Sequence, residues 1–164
     1  MQNDILVAAN GLSDEELLAR LPVLAADERK ASVELIAHLA VLDTRPVLYA
    51  ADGYGSLFGY CTQGLSLSED AACNRIEAAR ACRRFPRILG LLSSGALSLT
   101  AVRLIGRHLT VENHKDVLER AVNKRRRAIE ALLAELAPRP DVPSSVRKLP
   151  APDAPAAKPQ TSPP

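Results

Sequence analysis

Serine-capped segments with apolar residues every three or four positions constrain the fold of this chain most. The clearest are "LSDEELLARL" from residue 12, "LSLSEDAACNRIEAARACRRFP" from residue 65 and "LSLTAVRLIGRHL" from residue 97. In each segment, a serine directly before the helix can accept a hydrogen bond from a free backbone amide of the first turn. The apolar spacing places one side of that helix in a core. Aromatic residues make up only 3% of the chain and Trp is absent, so Leu, Ala, Val and Ile must build the core. We predict an all-α bundle of six to eight helices.

The composition divides the chain into three parts. Residues 1–11 precede the first capped segment and are assigned to a flexible N-terminus. Residues 12–137 carry the helical pattern and form the predicted domain. Nine of the twelve prolines fall in residues 138–164, which is typical of a linker or a disordered tail.

The first helix begins with a predicted capping box between Ser13 and Glu16. Pro22 either kinks this helix or starts the next one, which reaches about Asp43. Three leucines are predicted to form a buried stripe on the first helix: Leu17, Leu18 and Leu21. On the helix capped by Ser68, three residues are predicted to form a small face for close packing: Ala72, Ile76 and Ala79. Between these helices, a glycine-punctuated segment with most of the aromatic residues predicts two short helical turns.

The stretch "RHLTVENHKDVL", residues 107–118, brings two histidines close together in sequence. His108 falls at the end of one predicted helix, and His114 lies in the first turn of the next, after a cap at Thr110. This arrangement lacks metal-ligand spacing such as H-E-x-x-H. We therefore predict neither a catalytic nor a metal site in this chain.

The cysteines and the apolar runs indicate a cytoplasmic protein. Cys61, Cys73 and Cys82 are odd in number and contain no C-x-x-C pair, which fits buried thiols in a reducing compartment. No run approaches the ~20 apolar residues of a membrane span, and the N-terminus lacks the pattern of a signal peptide. No membrane partner is expected.

Charge is distributed unevenly along the chain. Residues 1–67 hold four Lys and Arg against nine Asp and Glu, whereas residues 68–127 hold thirteen against six. The basic part could bind the phosphates of duplex DNA, or could form a solvated face or pair with acidic groups of the same molecule. The candidate contacts are Arg80, Arg83, Arg84, Arg87, Arg107, Lys124, Arg125, Arg126 and Arg127.

Several segments together resemble one family. They are "LSDEELLARL", "RKASVELIAHLAVLD", "GYGSLFGYCTQGLSLSEDAACNRIEAARACRRFP", "LSLTAVRLIGRHLTVENH" and "APRPDVPSSVRKLP". They are similar to the helical N-terminal region of bacterial proteins, common in myxobacteria, described as HNH endonucleases. In that family a proline-rich linker leads to a C-terminal ββα module that holds a divalent metal and cuts DNA. No such module follows residue 150, so the resemblance implies the part without the active site and no cofactor in this chain.

Three functional hypotheses follow. The chain is a non-catalytic, DNA-associating region of an HNH-endonuclease-type protein, shortened or separated from its nuclease module, with which it could associate. Alternatively, successive capped helices form a DNA-binding regulator of helix-turn-helix type. A third hypothesis is a protein–protein interaction module with no nucleic-acid role, whose basic face meets an acidic partner that could be a second copy of the chain.

Overall fold

The computed structural model describes residues 2–136, and their side chains from residue 4 onward. Nine α-helices and no β-strand occur in this part of the chain. In order, they are α1 (Gln2–Asn10), α2 (Asp14–Leu42), α3 (Pro46–Ala51), α4 (Leu57–Gly59), α5 (Glu69–Arg84), α6 (Arg87–Ser93), α7 (Leu99–Gly106), α8 (His114–Ala121) and α9 (Arg126–Leu136). A π-helical turn, Tyr60–Gly64, directly follows α4.

The predicted all-α class is confirmed. The described residues contain nine helices rather than six to eight, for two reasons. Helix α1 lies within residues 1–11, the segment assigned to a flexible N-terminus, and α4 is a single turn of three residues. The predicted disordered tail, residues 138–164, lies outside the described residues.

Helix α2 is continuous through Pro22, so this proline neither ends a helix nor begins one. The capping box is present: the Ser13 backbone amide donates to Glu16 Oε2 at 2.9 Å, and the Glu16 amide donates to Ser13 Oγ at 3.3 Å. Because proline has no N–H, the carbonyl four residues earlier, on Leu18, loses its helical hydrogen bond.

The core of the molecule is formed by the C-terminal half of α2 together with α5, α6, α7, α8 and α9. Helix α5 packs against both α2 and α7, and α7 packs in turn against α9. The small-residue face predicted on α5 is confirmed, since Ala72 and Ala79 are fully buried and Ile76 is 6% exposed. These short side chains let α2 and α7 approach α5 closely from two sides.

The buried stripe predicted for the start of α2 is wrong. Leu17, Leu18 and Leu21 are 39%, 69% and 54% exposed, and every residue from 10 to 31 is exposed. Residues 14–28 of α2, about 22 Å of helix at 1.5 Å per residue, precede Arg29, whose side chain lies beside Gly95. The apolar spacing indicated a helix correctly, but it does not reveal whether another helix of the same molecule covers its apolar face.

The aromatic segment between α2 and α5 forms the two short helical pieces that the sequence predicts. Leu57 and Cys61 are buried there, while the rings of Tyr54 and Tyr60 meet edge to face with centroids 5.3 Å apart. A Cβ at Gly64 would lie 3.0 Å from the Tyr54 hydroxyl, so a larger residue at this position needs the Tyr54 ring to shift.

Two of the three cysteines behave as buried apolar residues, as predicted. Cys61 and Cys82 are buried and Cys73 is partly exposed, and all three are free thiols. Burial raises the pKa of the Cys82 thiol to about 11, which keeps it protonated and unreactive at neutral pH.

Candidate anion-binding cleft

Helices α7 and α9 pack side by side and leave a cleft between their exposed faces. Helix α7 is capped by Ser98, whose Oγ accepts from the Ala101 amide at 3.1 Å. Its buried face carries Val102 and Ile105, which turns residues 100, 103, 104 and 107 outward. Helix α9 is held by the fully buried Ile129.

The cleft has a volume of about 420 Å³ and its polar lining is predominantly cationic. Arg103, Arg107 and His108 line it from α7 and the residues after it, and Arg126 lines it from the first turn of α9. No carboxylate of residues 2–136 lines this cleft. The remaining lining residues are Thr100, Leu104 and Leu133.

The three arginines of the cleft are held to different degrees. Arg103 Nη1 donates to Asn74 Oδ1 at 3.0 Å, so α5 fixes the orientation of this guanidinium. Arg126 Nε pairs with Glu130 Oε1 at 2.8 Å, one turn along α9, where both side chains are well exposed. Arg107 is exposed, and its guanidinium has no hydrogen-bond or ion-pair partner within residues 2–136.

This arrangement suits an anion. Arg107 is unpaired among the described residues, and an exposed pair such as Arg126–Glu130 is worth at most ~1 kcal/mol, so an incoming phosphate can replace the glutamate. Arginine guanidinium groups bind phosphate oxygens with two parallel hydrogen bonds. The N-terminal turn of α9 adds the positive end of a helix dipole at the same edge.

The predicted arginines of α5 lie elsewhere and contact their own molecule. Arg80 binds both carboxylate oxygens of Asp43 at 3.2 and 3.0 Å, and Arg83 Nη1 binds Asp43 Oδ2 at 3.1 Å. The Arg80 hydrogen bond is the main cause that holds the pKa of Asp43 below its ordinary value. Asp43 follows the last turn of α2, so these two arginines join α5 to α2.

Arg84 and Arg87 each contact a different partner within the same molecule. Arg84 Nη2 donates to the Leu109 carbonyl at 2.8 Å, and Arg87 Nη1 pairs with Glu119 Oε1 at 3.3 Å. Helix α5 ends at Arg84 and α6 begins at Arg87, with Phe85 and Pro86 between them. Because the helix does not continue, the four arginines from 80 to 87 do not share one face.

The basic run at the start of α9 is also divided. Asn123, in the left-handed conformation with φ 57°, turns the chain, and its amide donates to the Ala96 carbonyl at 2.8 Å. Lys124 then lines a recess beside the acidic Glu119 and Glu135, whereas Arg126 faces the α7–α9 cleft. Two members of the run are exposed, and their side chains have no partner within residues 2–136: Arg125 and Arg127.

Sequence reasoning included Arg107 and Arg126 but missed Arg103. The signal was present, since Arg103 and Arg107 are four residues apart on the polar side of α7 and therefore neighbours on that face. The proximity of Arg126 could not be inferred, because it depends on how α9 packs against α7.

The histidine segment connects two helices. Thr110 and Asn113 are joined by two reciprocal hydrogen bonds. The Thr110 amide donates to Asn113 Oδ1 at 2.7 Å, and the Asn113 amide donates to Thr110 Oγ1 at 3.2 Å. His114 Nδ1 donates to the Val111 carbonyl at 2.8 Å, and its ring stacks on Phe85. His108 lines the cleft between α7 and α9, so the two histidines lie in different environments.

Within residues 2–136, no group of three or more His, Cys, Asp and Glu side chains is arranged to hold a metal ion. No helix in that same part of the chain combines the length and hydrophobicity needed to cross a bilayer.

The chain was compared with known families, proteins and structures. No family model matches it, and neither a curated protein nor a solved structure shows significant similarity to it.

Proposed function

We propose that this chain is a non-catalytic helical module that binds the phosphate backbone of duplex DNA in the cleft between α7 and α9. The convergence of Arg103, Arg107 and Arg126 on one cleft, with Arg107 unpaired among the described residues, is the observation that carries the proposal. Arg125 and Arg127 are the sequence neighbours of Arg126, and their exposed side chains add positive charge at the start of α9.

The binding chemistry is electrostatic and independent of base sequence. Each arginine that neutralises a phosphate releases condensed counterions, so affinity falls steeply as salt rises. Phosphate contacts position a protein on DNA without reading its bases. Five arginines in and beside the cleft suffice for weak, salt-sensitive association.

The resemblance to the helical region of HNH-endonuclease-type proteins is consistent with this role. A module that holds DNA through its backbone would raise the local concentration of DNA near a nuclease module, whether on the same chain or on a separate one. The divalent metal of such a pair would belong to the nuclease module.

The test measures fluorescence anisotropy of a labelled duplex at low salt. Arg107→Ala and Arg103→Ala should each weaken binding about tenfold, the factor that corresponds to about 1.4 kcal/mol for removal of a charged hydrogen bond. Lys30→Ala is the matched control, since it removes an exposed cation that has no partner among the described residues and lies on α2, which packs against α5 and α6. It should leave the affinity within about twofold of wild type.

Three results would contradict the proposal. One is the absence of binding at low salt, and another is an equal loss of affinity for the cleft variants and Lys30→Ala. The third is cleavage of plasmid DNA with Mg²⁺ or Mn²⁺ that disappears in the His108→Ala/His114→Ala double variant. A strong preference for a palindrome would instead favour the helix-turn-helix regulator.

A further inference from the structure

The N-terminal arm, residues 2–30, carries many large apolar side chains that the rest of the described chain leaves partly or largely exposed. Helix α1 packs extensively on no other helix of residues 2–136, and every residue of α2 up to residue 31 is exposed, although the Arg29 side chain lies beside Gly95. The large apolar side chains of the arm are between 39% and 75% exposed. They are Ile5, Leu6, Val7, Leu12, Leu17, Leu18, Leu21, Val23 and Leu24.

An uncovered arm of this kind requires a partner for two reasons. Soluble monomers rarely expose contiguous apolar patches of more than a few hundred Å². A helical extension without tertiary contacts is also marginally stable in water, and Pro22 weakens this one further by removing a hydrogen bond.

We propose that a second copy of the chain covers the arm, with the two α2 helices antiparallel about a two-fold axis near residues 22 and 23. Leu17, Leu21 and Leu24 follow one another at spacings of four and three, which places them on one face of α2. The antiparallel register that sets Leu21 against Leu24 of the second copy also sets Leu24 against its Leu21. A surface that repeats itself in this way suits a two-fold symmetric dimer.

Charge complementarity selects this orientation. Arg20 and Asp27 lie seven residues apart on the same edge of the leucine stripe, and neither has a partner within residues 2–136. In the antiparallel register Arg20 lies diagonally across from Asp27 of the second copy, within reach of its long side chain, and the symmetry axis repeats the pair. A parallel pairing in register would place Glu28 against Glu28 and leave both edge charges unpaired, whereas the antiparallel register places Glu28 opposite Leu17 at the end of the stripe.

The same face of α2 continues into an apolar groove on the core. Leu35, His38 and Leu42 prolong the three-and-four spacing, and they line a groove of about 360 Å³ with Leu48 and Tyr60. In the antiparallel register, Ser13 of the second copy lies opposite residue 32, so the C-terminal end of its α1 lies near this groove. The apolar side chains of α1 would cover the exposed Val41 and Leu48.

The test is sedimentation equilibrium of the full chain without DNA, which keeps its outcome separate from that of the cleft. Wild type should have a mass twice that of the 17.6 kDa chain. Leu21→Asp/Leu24→Asp should be monomeric and should still unfold cooperatively, with any loss of helical circular dichroism confined to the arm. Val111→Asp, at a position 77% exposed outside the arm, is the matched control and should remain dimeric.

A charge swap tests the register itself. Arg20→Asp and Asp27→Arg should each weaken the dimer about tenfold, because symmetry counts every broken pair twice. The double variant Arg20→Asp/Asp27→Arg should restore wild-type affinity, since it exchanges the two charges.

A chain that stays monomeric at all concentrations overturns the proposal, including a monomer whose arm is covered by its own residues 137–164 or inserts into anionic vesicles. A dimer that survives Leu21→Asp/Leu24→Asp overturns it as well. Failure of the double charge variant to recover affinity overturns the antiparallel register.

Discussion

Asp43 shows how a single carboxylate commits two arginines to the fold. Its side chain is 11% exposed and accepts from both Arg80 and Arg83, which are 52% and 45% exposed. These hydrogen bonds satisfy a largely buried anion directly after α2 and attach α2 to α5. The contribution to stability is modest, because solvent screens the two half-exposed arginines.

Asp43→Asn tests this ion pair through pH. The folded state lowers the pKa of Asp43 below the ordinary value of 3.8, with the Arg80 hydrogen bond as the main cause. The stability that the Asp43 carboxylate contributes is therefore fully present above the ordinary pKa, and it is lost as pH falls through the lowered pKa of the folded state. Wild type should exceed Asp43→Asn by about 1 kcal/mol in unfolding free energy at neutral pH, and the difference should vanish in acid.

Urea denaturation from neutral to acidic pH measures the difference. Asp52→Asn, which removes an exposed carboxylate outside the ion pair, should change stability little at any pH. A difference between wild type and Asp43→Asn that does not depend on pH would contradict this explanation.

Close approach of α5 and α7 is the packing feature that positions one wall of the cleft. A Cβ added at Gly106 would lie 3.2 Å from Ala81 Cβ, a distance tighter than ordinary van der Waals contact. Two small residues therefore set the separation of these helices. The Arg103 side chain on α7 is also hydrogen-bonded to Asn74 of α5.

Substitution of two helical glycines should have opposite effects. Gly106→Leu should destabilise the protein by about 1–3 kcal/mol, because the larger side chain separates α5 from α7. Gly90→Ala on α6 should stabilise it by about 0.5–1 kcal/mol, since a Cβ there meets nothing within 4 Å and alanine favours a helix. Thermal unfolding compares the two variants with wild type. A Gly106→Leu variant as stable as wild type would show that the contact between α5 and α7 tolerates a larger side chain.

Local signals predicted the helices well, while contacts between distant segments were beyond reach. Ser13, Ser68 and Ser98 cap helices where the sequence placed them, because a cap and its amide lie three residues apart. The same reasoning could not show that Asp43 binds Arg80, or that α9 brings Arg126 to α7. For the arm, a leucine stripe looks the same whether the chain or a second molecule covers it.

The whole molecule combines a helical core, a cationic cleft on one pair of its helices and an exposed apolar arm. The cleft lies between α7 and α9, whereas the arm extends from the start of α2, so the two surfaces use different helices. Several arginines of the basic segment hold the core together, and only a subset remains available to an anion. The excess of Lys and Arg in residues 68–127 therefore overstates the number of cations that are free of internal partners.

The most direct test of the proposed DNA binding is the salt dependence of duplex affinity in wild type and in Arg103→Ala/Arg107→Ala/Arg126→Ala. Plotted as the logarithm of the association constant against that of salt concentration, wild type should give a straight line of negative slope. The slope of the variant should be shallower by about 1 for each phosphate that its missing arginines no longer neutralise. Equal slopes for the two proteins, or no binding at low salt, would contradict the assignment of the α7–α9 cleft to phosphate binding.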